Sequence, residues 1–385
     1  MAEFDWNKLT IDLATKNAYG VMTEPIMICE SEVGAIPSGN RRTVSFVHEY
    51  VHYLQSVSSL AGFRLLVATL AYAVEARALA TGDIEDTPHN RKMLAEKCKD
   101  LEAQCTLHWR VAPRARSYFG RAGRKLGVVQ LDLNQPEIYD RVWGVTVRGS
   151  QFRPITVAVL AEGMARRIDR IYARNEEITD VPGSDSRIER EQYNLIYAIL
   201  KHWRYVRNVP TDCHEAATIV ICGLALLAGR PDRATAELLK RIRSGRLPSD
   251  IVAWAITLRE HLQSERWIGP NAYADVVRDF EADVQPYLDL EERQAIGAYV
   301  NRIIRAVSAV WNNPTYFASE AIGWPQVRHW MIRFSLPRVT CGAEVIAQID
   351  GVNAENILSD LLTEFWSSHP TDADAHLRAT RPNAE

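Results

Sequence analysis

Two histidines four residues apart, with a glutamate beside the first, form the strongest chemical pattern in the sequence. His48, Glu49 and His52 lie in the segment TVSFVHEYVHYLQSVSSL, which contains neither Pro nor Gly. Positions i and i+4 share one face of a helix, so both imidazoles can point at a single ion. Zn²⁺ prefers such nitrogen ligands. The sequence therefore predicts a zinc site on a helix, in the His-Glu-x-x-His arrangement of zinc hydrolases.

Glu49 supplies the acid–base group that hydrolysis requires. It lies about 100° round the helix from His48, and its longer side chain can reach a water in the open position of the metal. A carboxylate there takes a proton as the water attacks a carbonyl carbon. We therefore predict that Glu49 is the general base.

A catalytic zinc needs a third protein ligand, for which Glu162 is the first candidate. It lies among small and apolar residues in ITVAVLAEGMARRIDRIYAR, where an unpaired carboxylate would be costly. Two alternatives remain open. Glu215 follows His214 near the start of a predicted helix, where a carboxylate is also favourable without any metal. Glu320 lies in the segment FASEA and belongs to the first turn of another predicted helix.

Peptide hydrolysis also needs a donor that stabilises the developing oxyanion. Tyr193, Tyr197 and His202 lie in the segment EQYNLIYAILKHWRYVR. Tyr193 and Tyr197 are four residues apart and share a helix face. We assign these three residues as candidate catalytic donors, although aromatic residues at helical spacing also fit a packed core.

The segments HEYVHYLQ (48–55) and LAEGMA (160–165) resemble gluzincin-type zinc metallopeptidases, nearest to bacterial families with a His-Glu-x-x-His-x-x-Gln helix followed by a Glu-Gly-x-Ala helix. The resemblance implies zinc held by His48, His52 and Glu162, with Glu49 as base. Thermolysin-like enzymes have Asn before the ligand Glu and Asp four residues after it, where this chain has Ala161 and Arg166. The carboxylate that orients a zinc histidine must therefore come from elsewhere.

Helical patterns dominate the sequence. The stretch Arg41–Gly82 predicts one long helix or two in succession, with Gly62 as the candidate break. Further helices are predicted over Asn90–Trp109, Ile155–Arg174, Arg187–Arg207, Asp212–Ala228, Asp232–Arg243, Ser249–Gln263, Ala272–Val284, Leu290–Trp311, Ser319–Phe334 and Ala354–Trp366. Strand patterns are few, at 25–33, 128–133 and 142–148. By analogy with the family, 25–33 is the edge along which an extended substrate pairs.

The expected fold is mainly α, within the α+β class, with a zincin-like helical core, a small β element and a larger helical C-terminal part. The polar segment NEEITDVPGSDS divides the chain. Residues 1–175 form the predicted metal-binding catalytic region, and residues 187–366 form a helical region that completes the site and shapes substrate choice. Residues 367–385 form a predicted flexible tail.

Composition favours a cytoplasmic protein. The formal net charge is −3, which indicates neither nucleic acid nor a membrane surface as a general partner. The six cysteines include no Cys-x-x-Cys pair, and the sequence begins MAEFDW, without the pattern of a secretory signal. The segment 103–131 has basic residues among aromatics, which fits either a solvated face or a nucleic-acid contact. We expect the solvated face.

These features predict a zinc-dependent metallopeptidase that cleaves a specific protein substrate and is regulated by a protein partner. The alternative is a helical binding or regulatory protein with a structural or vestigial zinc site. The two hypotheses differ in whether Glu49 has a chemical task.

Overall fold

The structure is a computed structural model that describes the chain in separate stretches. They are residues 3–5, 10–12, 41–109, 127–132, 141–147, 151–179, 195–200, 211–244, 250–264, 270–319, 321–334, 338–341, 344–347 and 360–363. The predicted substrate strand at 25–33, Tyr193, His202, Glu320 and the C-terminal tail lie outside these residues. So does the central part of the basic segment, 110–126.

Helices make up most of the described chain. They are α1 (Arg41–Ser58), α2 (Leu60–Thr81), α3 (Pro88–Trp109), α4 (Val157–Asn175), α5 (195–200), α6 (Thr211–Leu226), α7 (Pro231–Ser244), α8 (Ile251–Ser264), α9 (Pro270–Asp283), α10 (Leu290–Asn312), α11 (Trp324–Phe334) and α12 (360–363), with a short 3-10 helix at Gln285–Tyr287. The prediction of a mainly α protein is confirmed.

Short strands flank these helices. They are β1 (Glu3–Asp5), β2 (Thr10–Asp12), β3 (Gly127–Asp132), β4 (Arg141–Val147), β5 (Gln151–Pro154), β6 (Arg338–Cys341) and β7 (Glu344–Ala347). Their orders are β1-β2-β6-β7 and β3-β4-β5, with β2 and β6 parallel and the other pairs antiparallel. The side chains that the structure describes all lie outside the strands. The described core therefore consists of helices packed against one another. It does not support the α+β part of the predicted class.

Helix α1 lies at the centre of the described core. It packs against α4 on one side and against α10 and α2 on others, while α4 also packs against α6. Tyr50 and Tyr53 of α1 are fully buried, and the Tyr53 hydroxyl donates a hydrogen bond to the Phe334 carbonyl of α11 at 3.1 Å. Burial on almost every side fixes the rotation of α1, and with it the direction in which its polar residues point.

The predicted helical stretch 41–82 is two helices that bend by 77° at Ser59. Ser59 has extended backbone angles, and its side chain accepts a hydrogen bond from the Gly62 amide at 3.0 Å, as an N-cap residue does. A Cβ atom at Gly62 would lie 2.6 Å from the backbone oxygen of Ser56. The sequence indicated Gly62 as the break, whereas the break falls three residues earlier and Gly62 makes the sharp corner possible.

Helix α11 begins five residues later than predicted. The prediction began at Ser319, but α11 begins at Trp324, directly before Pro325. A proline at this early position needs no amide donor of its own. The Trp324 amide is instead satisfied by the Glu176 carboxylate, which follows α4, at 2.7 Å. This bond ties the start of α11 to the end of α4.

No single described helix is both long and apolar enough to cross a bilayer. The bent pair formed by Thr43–Ser58 and Leu60–Thr81 meets the length and composition criteria only when its two helices are taken together.

Replacing Gly62 by Ala should lower the free energy of unfolding by about 1–3 kcal/mol, the usual range for overpacking, because the new methyl group would meet backbone rather than a movable side chain. Gly297 in α10 is the matched control, since a Cβ there meets nothing within 4 Å. Gly297→Ala should raise stability by about 0.5–1 kcal/mol. Denaturant unfolding measures both, and equal effects of the two substitutions would contradict the close approach at the corner.

Candidate metal centre

Helix α1 presents its chemically active residues on a single partly open face. Among the described side chains of α1, only Ser45, His48 and Glu49 are partly exposed, and His52 lies one turn further along the same face. The rings of His48 and His52 stand edge to face with centroids 4.9 Å apart. The i, i+4 spacing therefore brings the two imidazoles together, as the sequence predicted.

Helix α4 brings a carboxylate to both imidazoles. Glu162 Oε2 lies 3.2 Å from His48 Nε2 and 3.4 Å from His52 Nε2. One ligand atom from each of the three residues lies within 4.8 Å of the other two. The side chains are 12%, 6% and 27% exposed for His48, His52 and Glu162, so the group is enclosed but reachable through the carboxylate. These three residues could hold a metal ion.

The two distances from Glu162 Oε2 to the histidine Nε2 atoms match the size of a tetrahedral zinc site. Zinc bonds of about 2.0–2.1 Å in tetrahedral arrangement place neighbouring ligand atoms about 3.3–3.4 Å apart. The two Nε2–Oε2 distances, 3.2 and 3.4 Å, agree with this spacing. Two nitrogens and one oxygen are also a ligand set that zinc accepts in catalytic sites. Two of the three separations between ligand atoms therefore agree with a tetrahedral zinc site, and all three atoms lie within 4.8 Å of one another.

The other ring nitrogen of His48 contacts a carboxylate that the sequence analysis missed. His48 Nδ1 lies 3.0 Å from Asp169 Oδ2, and the same oxygen accepts a hydrogen bond from the Arg166 guanidinium at 3.0 Å. Both Asp169 and Arg166 are buried. A signal existed, because Asp169 lies seven residues, two helical turns, after Glu162 and so shares its face. Asp169 is therefore placed to orient the His48 ring, a task for which the sequence analysis had named no carboxylate.

The other ring nitrogen of His52 contacts an amide. His52 Nδ1 lies 2.9 Å from Gln55 Oε1, and Gln55 Nε2 donates to the Ala161 carbonyl of α4 at 2.9 Å. Gln55 is 1% exposed, so both bonds are shielded from water. Each imidazole thus has an acceptor at Nδ1 and directs Nε2 toward Glu162.

The charges of the site reinforce one another. Burial lowers the pKa of His48, but its contacts with Asp169 and Glu162 and the charge of Glu49 outweigh burial, so this pKa lies well above its ordinary value. Burial also lowers the pKa of His52, and the charge and hydrogen bond of Glu162 more than reverse that effect. Burial raises the pKa of Glu162, whereas the two histidines lower it far below its usual range. Without metal, these charges therefore favour the protonated forms of His48 and His52.

Glu49 acts on both histidines through its charge. It contributes to the raised pKa values of His48 and His52 and lies on the partly open face of α1. It does not belong to the group of three that could bind the ion. A carboxylate that is close to the ligands but is not one of them is placed as a proton acceptor would be.

Tyr197, the one described member of the predicted donor set, lies against different groups. Its ring is 4.3 Å from the guanidinium carbon of Arg167 and meets the ring of His214 edge to face at 6.4 Å between centroids. The rival ligand Glu215 forms an ion pair with Arg174 at 2.5 Å. Among the described residues, neither Tyr197 nor Glu215 belongs to the group that could bind a metal ion.

Comparisons of the chain with protein-family models, with curated proteins and with solved structures find no match. The function of the site has to be inferred from its own side chains.

The metal-free protein should lose stability as the pH rises above about 6.5, the ordinary pKa of histidine. Because the pKa values of His48 and His52 are raised in the fold, the folded state binds more protons than the unfolded state in this range. This contribution is complete below the unfolded pKa and is lost as the pH rises through the folded values. Thermal unfolding of chelator-treated protein between about pH 6.5 and 9 measures the slope.

Zinc should remove this pH dependence, because a metal-bound imidazole no longer takes up a proton at Nε2. His48→Gln should reduce the slope of the metal-free protein. Glu162 acts in the opposite range, since its lowered pKa contributes stability that is lost as the pH falls below its ordinary value. A metal-free protein whose stability does not change across the alkaline window would contradict the raised histidine values.

Proposed function

We propose that this chain is a zinc-dependent metallopeptidase that hydrolyses peptide bonds in a specific protein substrate. The observation that carries the proposal is the convergence of His48 Nε2, His52 Nε2 and Glu162 Oε2, with Glu49 beside them. Three ligands leave a tetrahedral ion one open position, which is the arrangement of catalytic zinc. Structural zinc sites instead fill all four positions with protein ligands.

A bound zinc ion would supply a water of lowered pKa and would polarise the substrate carbonyl. Glu49 accepts the proton of the attacking water and delivers it to the leaving amine. With an ion bound, His48 and His52 would present an unprotonated Nε2, because Asp169 and Gln55 each accept the hydrogen bond from Nδ1–H. Glu162 contributes the negative charge that keeps the ligand set matched to a dication.

The open side of the site defines how a substrate enters. The partly exposed residues of α1 are Ser45, His48 and Glu49, and on α4 those near Glu162 are Ala158 and Val159. All other described side chains of α1 are buried, and so are the residues immediately on either side of Glu162 in α4. In our proposal an extended peptide approaches Glu49 from this partly exposed side, where the described residues of α4 near Glu162 in sequence include the apolar Ala158 and Val159.

The remaining parts of the proposal follow from the sequence. Tyr193, Tyr197 and His202 stay the candidate oxyanion donors, and a zincin-like core with a small β element stays the proposed fold family. We further propose a cytoplasmic location and a regulatory protein partner. Cys213 and Cys222 are free thiols in the described part of the chain, which fits a reducing compartment.

Replacing Glu49 by Gln should keep the metal and reduce peptide cleavage by at least about 10²–10⁴-fold, the usual contribution of a general base. Gln has nearly the same volume as Glu but cannot accept the proton. Elemental analysis should find about one zinc per chain in both the unsubstituted and the substituted protein. Cleavage of a peptide library, followed by mass spectrometry, measures activity.

Glu162→Ala tests the ligand assignment and should weaken zinc binding by more than the roughly 100-fold typical of losing a supporting contact. Glu215→Ala is the matched control, because Glu215 is also buried and charged but pairs with Arg174. If Glu215→Ala releases zinc and Glu162→Ala does not, the third ligand is Glu215 rather than Glu162. A purified chain that contains no metal and refuses added zinc would leave the structural or binding-protein alternative.

A further inference from the structure

Gln55 joins the two helices that supply the metal ligands. It lies three residues after His52 on α1, and its side chain reaches across to the backbone of α4. Both of its polar atoms are used, Oε1 toward His52 Nδ1 and Nε2 toward the Ala161 carbonyl. The Ala161 residue directly precedes the ligand Glu162. A single side chain thus contacts one ligand directly and the neighbour of another.

The Ala161 carbonyl determines which way the amide faces. A carbonyl oxygen only accepts hydrogen bonds, so the NH₂ end of Gln55 must face Ala161 and the oxygen end must face His52. An amide oxygen also only accepts, so His52 must carry its hydrogen on Nδ1. When the ring is neutral, Nε2 is then the unprotonated nitrogen, and it is the atom that lies 3.4 Å from Glu162 Oε2. The backbone of α4 thereby selects the tautomer of a side chain on α1.

We propose that Gln55 is a positioning residue that fixes His52 in the Nδ1–H tautomer and holds α1 and α4 in the register that the ion requires. This inference rests on the metal site proposed above. It assigns to an uncharged, buried amide the orienting task that a carboxylate, Asp169, performs for His48.

The two orienting groups differ for a physical reason. Asp169 is balanced by the adjacent Arg166. A carboxylate at position 55 would add a further buried negative charge beside the site. A carboxylate at position 55 would also lose the bond to the Ala161 carbonyl, because it has no hydrogen to donate. The amide is the one group of this size that accepts from a ring nitrogen and donates to a carbonyl.

Two substitutions separate positioning from packing. Gln55→Met keeps the size of the side chain and removes both hydrogen bonds. Gln55→Glu keeps the acceptor for His52 Nδ1–H but removes the donor to Ala161. If Gln55 served packing alone, apolar Met would be tolerated better than a buried charge. If Gln55 positions His52, the Gln55→Glu variant should bind zinc more tightly than the Gln55→Met variant. This order should hold even if Gln55→Glu unfolds more easily.

Ser56→Ala is the matched control. Ser56 is the next residue of α1, is buried, and donates a hydrogen bond to the Tyr53 carbonyl at 2.7 Å without contacting a ligand. The Ser56→Ala substitution should lower thermal stability and leave the zinc dissociation constant unchanged. Gln55→Met should raise that constant by about 10–100-fold, the usual effect of losing an orienting contact, and Gln55→Glu by less. Competition with a chromophoric chelator measures all three.

A nuclear magnetic resonance experiment tests the geometry without any variant. In protein loaded with ¹¹³Cd and labelled with ¹⁵N-histidine, the metal should couple to Nε2 of both His48 and His52. In Gln55→Met the coupling to His52 Nε2 should weaken or move to Nδ1. Coupling through His52 Nδ1 in the unsubstituted chain would overturn the inference, whether or not the variants fold.

The outcomes also separate this inference from the metal site itself. Unchanged zinc affinity and unchanged Nε2 coupling in both Gln55 variants would overturn the role of Gln55 while leaving the site intact. Tighter zinc binding by Met than by Glu would do the same. Failure of the unsubstituted chain to bind either zinc or cadmium would overturn the proposed metal site and the inference together.

Discussion

The carboxylate of Glu162 lies between two imidazoles of the facing helix, and this contact constrains the structure around it. A largely enclosed charge without a partner is among the most costly features that a fold can contain. Here the partners are His48 and His52, which compensate the charge either as protonated rings or as ligands of a shared cation. Helices α1 and α4 must therefore meet at one rotation and one register. Any sliding of either helix would separate the carboxylate from both rings.

The rest of the interface reinforces this register in both directions. From α4, Asp169 reaches His48 on α1, and from α1, Gln55 reaches the Ala161 backbone on α4. The two contacts flank the triad, so the helices are tied on each side of the ligands. Buried polar networks gain strength when every member is paired, and they become a liability when one member is missing. Asp169 and Gln55 are both buried, so their contacts with the histidines are shielded from water.

The three residues that could hold a metal ion could be predicted from the sequence because their arrangement is largely local. The spacing of His48 and His52 follows from helix geometry alone, and a glutamate among small apolar residues indicates a buried partner. Asp169 and Gln55 were missed because their roles depend on how α1 and α4 are rotated against each other. That rotation is set by burial of residues such as Tyr50 and Tyr53, which a helical pattern does not encode. Tyr197 shows the same limit, since its neighbour Arg167 lies on α4.

The same interface explains how the three side chains can lie together in the absence of a metal. The surrounding carboxylates favour positive charge on both histidines, and the pKa of each ring is raised for that reason. The triad is also supported by the packing of α1 against α4, unlike the ligands of small domains that need the ion in order to fold. A bound ion would take the place of protons at Nε2 and would find an acceptor already present at each Nδ1. Because the three side chains lie on packed helices rather than on loops, little ordering would oppose binding. Among the described side chains of α1, Ser45, His48 and Glu49 form the partly exposed face, and this is the face at which we propose that a substrate approaches.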